Sequence, residues 1–263
     1  MRNYHYVMLD PTGNLTCLVT DPADPADEAA LTRKLLEKCE QVAYLKPPMK
    51  PEAAAGIRLM GGEFCGNAAM ASAAWLIRDE IGRGEEKALL LEVSGAADPV
   101  LCTVRRTAEG FEGTVCMPGI PETGEMAIRG IPFTLVRMEG IVHLICEGRT
   151  FEAEEAGLLI REAAELLPDR AVGLLQWNSG TQYMLPLVYV RGSGSLVWEH
   201  GCGSGSAAVG AAEALKSGKK ETTVCVRQPG GTIRVAAEAE KGRILSLSIT
   251  GQVKTGPEES IQI

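Results

Sequence analysis

The sequence predicts an α/β (α+β) fold of two like-built halves, each a set of strands wrapped around a buried helix. Three observations predict it. A Cys-Gly-polar turn occurs twice, at Cys65-Gly66-Asn67 and at Cys202-Gly203-Ser204. Each turn feeds a small-residue run, GNAAMASAAWLIR and GSGSAAVGAAEALK, that reads as a helix with the cysteine at its mouth. The same order of elements fills each half: strands, amphipathic helix, strands, Cys turn, buried helix, strand meander. A helix that is apolar on all faces must be surrounded, and strands around it are the economical solution.

The elements follow in order. Residues 4–20 read as two short strands joined by the turn Asp10-Pro11-Thr12-Gly13-Asn14. Asp27–Lys38 follows the helical period, with Leu31, Leu35 and Leu36 apolar and acids at its start. Gln41–Leu45 and Ile57–Met60 are strands around a Pro-rich loop, and the second of them delivers the chain to Cys65. Leu89–Val93, Val100–Arg105 and Phe111–Met117 alternate as strands with turns between them.

Pro118–Gly130, with two prolines and three glycines, is the expected boundary. After it come strands Phe133–Met138 and Val142–Cys146, then a helix over Glu152–Leu167 that Pro168 stops. Strands Ala171–Trp177, Met184–Val190 and Leu196–Trp198 lead to Cys202, and strands 222–227, 232–238 and 244–249 close the chain. The expected domains are 1–118, carrying Cys65, and 119–251, carrying Cys202, with the tail 252–263 returning to the first.

Bulk properties exclude several functions. The 263 residues carry a net charge of −8 and no Lys/Arg run, and aromatics are scarce, so nucleic acid is not an expected partner. No apolar run approaches a membrane span, and Met1–Tyr6 has no signal-peptide core, so a cytoplasmic protein is expected. Three separated histidines and eight cysteines without a C-x-x-C pair give no zinc spacing and no metal site. Cys17, Cys102, Cys116, Cys146 and Cys225 sit in strand-like alternations and read as small buried hydrophobes. Glycine surrounds only Cys65 and Cys202.

A helix N-terminus offers unpaired N–H groups and a positive dipole end. Two such mouths facing each other would hold a carboxylate, and the same field would lower the pKa of a thiol. An α-amino acid held there has its Cα between two sulfurs. One thiolate removes the α-proton and the opposite thiol returns one to the other face. The N–H donors stabilise the charge that builds on the carboxylate, and no cofactor is required.

At these residues the chain resembles the diaminopimelate epimerase superfamily, along essentially its whole length. The resemblance rests on the two Cys turns, Gly13-Asn14, Gln41, Gly140–His143, Val172-Gly173 and Gln228-Pro229-Gly230-Gly231. It implies two pseudo-symmetric domains, each a barrel-like sheet around a central helix, with one acid/base cysteine from each. Within the superfamily the chain looks most similar to histidine racemases of the staphylopine type, through Gly62–Ala68, Leu187–Val190 and Leu196–Glu199. The Glu-Arg pair of diaminopimelate epimerases is replaced here by Glu199-His200, and two of their asparagines by Ile141 and Ala171. These departures disfavour diaminopimelate as substrate.

Carried over position by position, Cys65 and Cys202 are the catalytic pair, and the backbone of Gly66, Asn67, Gly203 and Ser204 holds the carboxylate. Asn14 and Gln41 line the side-chain pocket. Glu63, Glu199 and His143 are candidates for the ammonium or a polar side chain, against plain structural roles for each. The expected activity is cofactor-independent racemisation, with histidine the first substrate. The alternatives are epimerisation of another amino acid such as diaminopimelate, or non-catalytic small-molecule binding on the same fold. The expected partner is a small amino acid, with a homodimer left open.

Overall fold

The computed structural model describes every residue except Met1, Ile120 and Ser193. The fold is mixed α/β and dominated by strands, and the chain divides into two compact units, Met1–Pro118 with Thr250–Ile263, and Gly119–Ile249.

In the first unit, β1 (Asn3–Pro11) pairs antiparallel with β2 (Thr16–Val19). Helix α1 (Pro25–Leu35) crosses to β3 (Gln41–Lys46), parallel to β2. β4 (Ala55–Leu59) returns antiparallel, and α2 (Gly66–Leu76) crosses to β5 (Glu86–Val93), parallel to β4. β6 (Val100–Arg106) and β7 (Phe111–Cys116) complete a meander. The C-terminal strand β16 (Arg243–Gln262) lies beside β7 and also pairs with β1, Pro11 opposite Val253 and Asn3 opposite Gln262.

The second unit repeats this series of pairings. β9 (Ile131–Met138) pairs antiparallel with β10 (Ile141–Glu147), and α3 (Ala153–Leu166) crosses to the parallel β11 (Ala171–Asn178). β12 (Tyr183–Val190) is antiparallel to β11 and carries the short β13 (Ser195–Trp198) as a side hairpin. Helix α4 (Gly203–Ser217) crosses to β14 (Glu221–Gln228), which meets β12 in parallel at Tyr183–Arg227. β15 (Gly231–Glu240) follows antiparallel.

The four helices form for two different reasons. α1 and α3 are amphipathic. Asp24 caps α1 through the Ala26 N–H, Pro25 takes a first-turn position and acids lead. Its Leu31 and Leu35 bury against Tyr4, Tyr6, Cys17, Val19, Val42 and Tyr44. α3 buries Ala156, Leu159, Ile160, Ala163 and Ala164 against β9, β10 and β11 residues such as Phe133, Leu144 and Leu174. By contrast, α2 is buried continuously from Gly66 to Ala74, and α4 over most of its length. Small residues are required where strands press on these helices. A Cβ at Gly210 would lie 2.3 Å from Val235 Cγ1, and one at Gly113 2.8 Å from Met70 Cβ.

Four expectations change. The expected boundary Pro118–Gly130 contains a strand, β8 (Glu122–Ile128), paired antiparallel with β9. It is an edge strand, mostly exposed, so its residues carry no apolar alternation. The strand expected to stop at 249 runs on through Gly251 and Gly256 to Gln262. α1 begins at Pro25 rather than Asp27, because proline suits a first turn. Cys116 and Cys225 lie in or at the end of strands as expected, but on solvent-facing positions rather than in the core.

Candidate active site

Cys65 is the N-cap residue of α2, with φ −135° and ψ 112°, and its sulfur accepts the Ala68 N–H at 3.5 Å. The turn before it is pinned from β5. Ser94 Oγ accepts the Leu59 N–H at 2.9 Å and donates to Glu63 O at 2.8 Å. Gly95, at φ +80°, sits so close that a Cβ there would lie 2.3 Å from Phe64 N. Cys65 is half-buried, Gly66 and Asn67 are buried, and Glu63 is exposed. We expect Gly95→Ala to cut turnover several-fold and to lower stability by about 1–3 kcal/mol, because both the left-handed backbone and Phe64 resist a side chain. Steady-state kinetics beside urea unfolding check this, and an unaffected variant would show that the loop tolerates displacement.

Asn14 and Gln41 are buried and bonded to one another. Gln41 Nε2 donates to Asn14 Oδ1 at 2.5 Å and to Thr16 Oγ1 at 2.7 Å. Asn14 Nδ2 in turn donates to Glu40 Oε2 at 2.8 Å. The topology brings this cluster to the end of the sheet from which the Cys65 turn departs. Gln41 starts β3, Thr16 starts the parallel β2, and β4 ends beside them, with Met60 N–H donating to Val42 O at 2.9 Å.

Cys202 repeats the N-cap arrangement on α4, with φ −102° and ψ 107°, and its sulfur accepts the Gly205 N–H at 3.2 Å. Gly205 is a glycine because the sulfur packs on it, a Cβ there falling 3.0 Å from Sγ. A closed polar network fixes the turn. Cys202 N–H donates to Gln228 Oε1 at 2.7 Å, Gln228 Nε2 to Ser206 Oγ at 2.8 Å, and Ser206 Oγ to Cys202 O at 2.7 Å. Ser204 Oγ lies 3.6 Å from the sulfur and 3.0 Å from His143 Nε2. His143 is completely buried on β10, so it reaches the mouth through Ser204 rather than directly.

Two electrostatic features stand out. Burial lowers the His143 pKa to about 3, so the ring is neutral. Burial, followed by the charge and hydrogen bond of Glu199, raises the Cys202 thiol well above the usual range. Ser204 and the Gly205 N–H pull the other way but are outweighed. The expected lowering at a helix mouth is therefore reversed at Cys202, because the sulfur is buried and a carboxylate is its neighbour. Glu199 is held at the end of β13 by its N–H bond to Pro186 O at 3.0 Å.

Sequence reading did not single out Gln228, Ser206, Ser94, Thr16 or Glu40 as site residues. Of these only Gln228, through its Pro-Gly-Gly context, had drawn notice. The others are held chiefly by partners distant in sequence, Thr16 by Gln41 at 25 residues, Glu40 by Asn14 at 26 and Ser94 by Glu63 at 31, and no local pattern announces them. Among the described residues no group of three or more His, Cys, Asp or Glu could hold a metal ion, and no helix is long and apolar enough to cross a membrane.

Comparison with known proteins bears on this geometry. The family model described as the histidine racemase CntK N-terminal domain matches residues 3–260. A histidine racemase of Staphylococcus aureus (strain Mu50) is 28% identical over 258 residues, covering 94% of this chain and 93% of its own. One from Fusobacterium nucleatum subsp. nucleatum (strain ATCC 25586) is 28% identical over 269 residues, covering 98% and 96%. In fold, the chain is similar to a hydroxyproline epimerase from Agrobacterium vitis, solved with bound trans-4-hydroxy-L-proline. That match has a TM-score of 0.75 at 15% identity, over 99% of this chain and 92% of the other.

Proposed function

We propose, from the premise that the chain belongs to the histidine racemase family, that it inverts the α-carbon of free histidine without a cofactor, using Cys65 and Cys202 as the acid/base pair. The observation that carries the reading is the duplicated cap. Each cysteine is the N-cap of a buried small-residue helix, its sulfur beside the first-turn N–H groups. Supporting it is the repeated series of strand pairings in the two units, which we read as two pseudo-symmetric, barrel-like domains each built around its central helix.

In this mechanism the backbone N–H groups of Gly66, Asn67, Gly203 and Ser204 bind the substrate carboxylate. One sulfur removes the α-proton, the electron pair delocalises into the carboxylate, and the other sulfur delivers a proton to the opposite face. Cys202 rests as the neutral thiol, held so by burial and Glu199, and is therefore the donor of the first half-turnover in which Cys65 is the base. After one inversion the protonation states have exchanged, and the reverse reaction uses them as they stand. Asn14 and Gln41, oriented by Glu40 and Thr16, contact the side chain of the substrate. Trp198-Glu199-His200 has no arginine for a distal α-amino-acid group, which favours histidine over diaminopimelate.

The test is a proton NMR time course in D₂O with a panel of L-amino acids and no added cofactor. Loss of the α-proton signal of histidine, with D-histidine identified by chiral chromatography, is the expected result. Exchange of diaminopimelate but not histidine would overturn the substrate, and exchange of neither would overturn the activity.

A further inference from the structure

We propose that Gln41 presents its side-chain carbonyl as a fixed acceptor, so that the site selects amino acids whose side chain carries an N–H donor, with Glu40 and Thr16 as the positioning residues that set this polarity. The selectivity rests on the proposed reading of the Asn14–Gln41 cluster as the pocket for the substrate side chain. The polarity stands on the geometry of the first unit alone.

An amide can face a neighbour with its oxygen or its nitrogen, and its partners decide which. Here both ends of the network decide alike. Thr16 Oγ1 donates its one proton to Asn14 O at 3.1 Å. Its oxygen is left to accept, so the Gln41 atom 2.7 Å away is the donor Nε2. At the other end stands Glu40, whose carboxylate only accepts. The Asn14 atom 2.8 Å from Glu40 Oε2 is therefore Nδ2, which turns Asn14 Oδ1 toward Gln41 and again requires Nε2 there. Both amide hydrogens of Gln41 are spent on these two bonds.

The backbone holds the three side chains in place. Asn14 N–H donates to Pro11 O at 3.2 Å, and the Glu40 and Gln41 N–H groups both reach Leu15 O, at 2.9 and 3.3 Å. Gly13 N–H is tied to Asp10 Oδ1 at 2.7 Å. Thr16 is fully buried, Asn14 is 7% exposed and Gln41 9%.

What remains is Gln41 Oε1. It accepts no hydrogen bond among the described residues, yet unlike Gln176 Nε2 it is not sealed from solvent. A buried amide kept for structure alone would turn this oxygen onto a protein donor. The Glu40 charge polarises Asn14 and Asn14 polarises Gln41, so the open oxygen at the end is a strengthened acceptor. An imidazole ring offers it an N–H in either tautomer. An alkyl chain, a thioether or a carboxylate offers none.

Calorimetric titration of the full-length protein with L-histidine and with β-(4-thiazolyl)-L-alanine tests this. The analogue keeps the α-amino and carboxylate groups, and sulfur replaces the N–H in a ring of similar shape. The parent should bind histidine at least about ten-fold more tightly, the effect of leaving a buried acceptor unpaired. Gln41→Met removes the acceptor, and Glu40→Gln lets the amide network reverse, so each should bring the two affinities to within about three-fold of one another. Damage to the fold would weaken both ligands and leave their ratio unchanged. A parent that binds the two equally, or binds neither, overturns the proposal. So does a parent ratio that survives in Gln41→Met, and equal losses for both ligands there would place Gln41 on the α-ammonium instead. A ratio that survives only in Glu40→Gln overturns the role of Glu40. Histidine bound with the expected ratios but without exchange of its α-proton would fail the racemase reading and leave this selectivity standing.

Discussion

Cys65→Ser and Cys202→Ser are each expected to lower histidine racemisation by about 10²–10⁴-fold, the span a positioned acid or base contributes. The substitution changes the acidity of one atom and little else. A serine hydroxyl is far weaker as an acid than a thiol, so it neither becomes the base nor returns the proton at neutral pH. The fold should survive. Both positions are N-caps, and serine is among the preferred N-cap residues, its oxygen accepting the Ala68 or Gly205 N–H that sulfur now accepts. The thermal midpoint should therefore stay level or rise while turnover collapses. Chiral chromatography of product, beside a melting curve for each variant, separates the two. Turnover within ten-fold of the parent in either variant would sink the two-thiol mechanism.

The asymmetry between the thiols adds a second reading of the same pair. Cys202 is buried and Glu199 stands beside it, so neutralising that carboxylate with Glu199→Gln removes a cause that keeps the proton on sulfur. The Cys202 thiol should then titrate at lower pH, and alkylation of Cys202 by iodoacetamide should begin at lower pH than in the parent. An unchanged alkylation profile would show that burial alone sets its acidity.

What could be read in advance was local, and what could not was long-range. The mouths of α2 and α4 were legible because a cap, a glycine and an all-round small-residue run lie within a few residues of each other. The crossing helices were legible for the same reason, through Leu31 and Leu35 or Leu159 and Ala163, although Leu36, Leu158 and Leu166, apolar and read with them, are exposed. β8 was not, because an edge strand with exposed Glu122, Thr123 and Glu125 turns only Met126 and Ile128 to the core, too few to leave a pattern. The polar scaffolding of the site was hidden likewise. Gln228 meets Cys202 from 26 residues away, and His143 meets Ser204 from 61. The acidity of Cys202 runs against the helix dipole, since the competing cause, burial beside Glu199, exists only once the chain is folded.

That buried histidine gives the second large effect. Folded, His143 holds its pKa near 3, against an ordinary value of 6.5. Its Nδ1 is buried without a hydrogen-bond partner against Gly173, where a Cβ would lie 2.2 Å from that nitrogen, so there is no room to solvate a charge. Below pH 6.5 the unfolded chain binds a proton that the folded chain refuses. Stability therefore rises with pH between about 3 and 6.5, and is lost on acidification through that window. Between pH 7 and pH 5 this one ring should cost about 2 kcal/mol. His143→Gln keeps a donor for Ser204 but cannot titrate. The variant should start less stable at pH 7, from poorer packing, yet lose about 2 kcal/mol less than the parent on going to pH 5. Urea midpoints at both pH values measure the difference directly. Parallel losses in the two proteins would mean that His143 is protonated in the folded state, and that the Ser204 contact is made by an imidazolium.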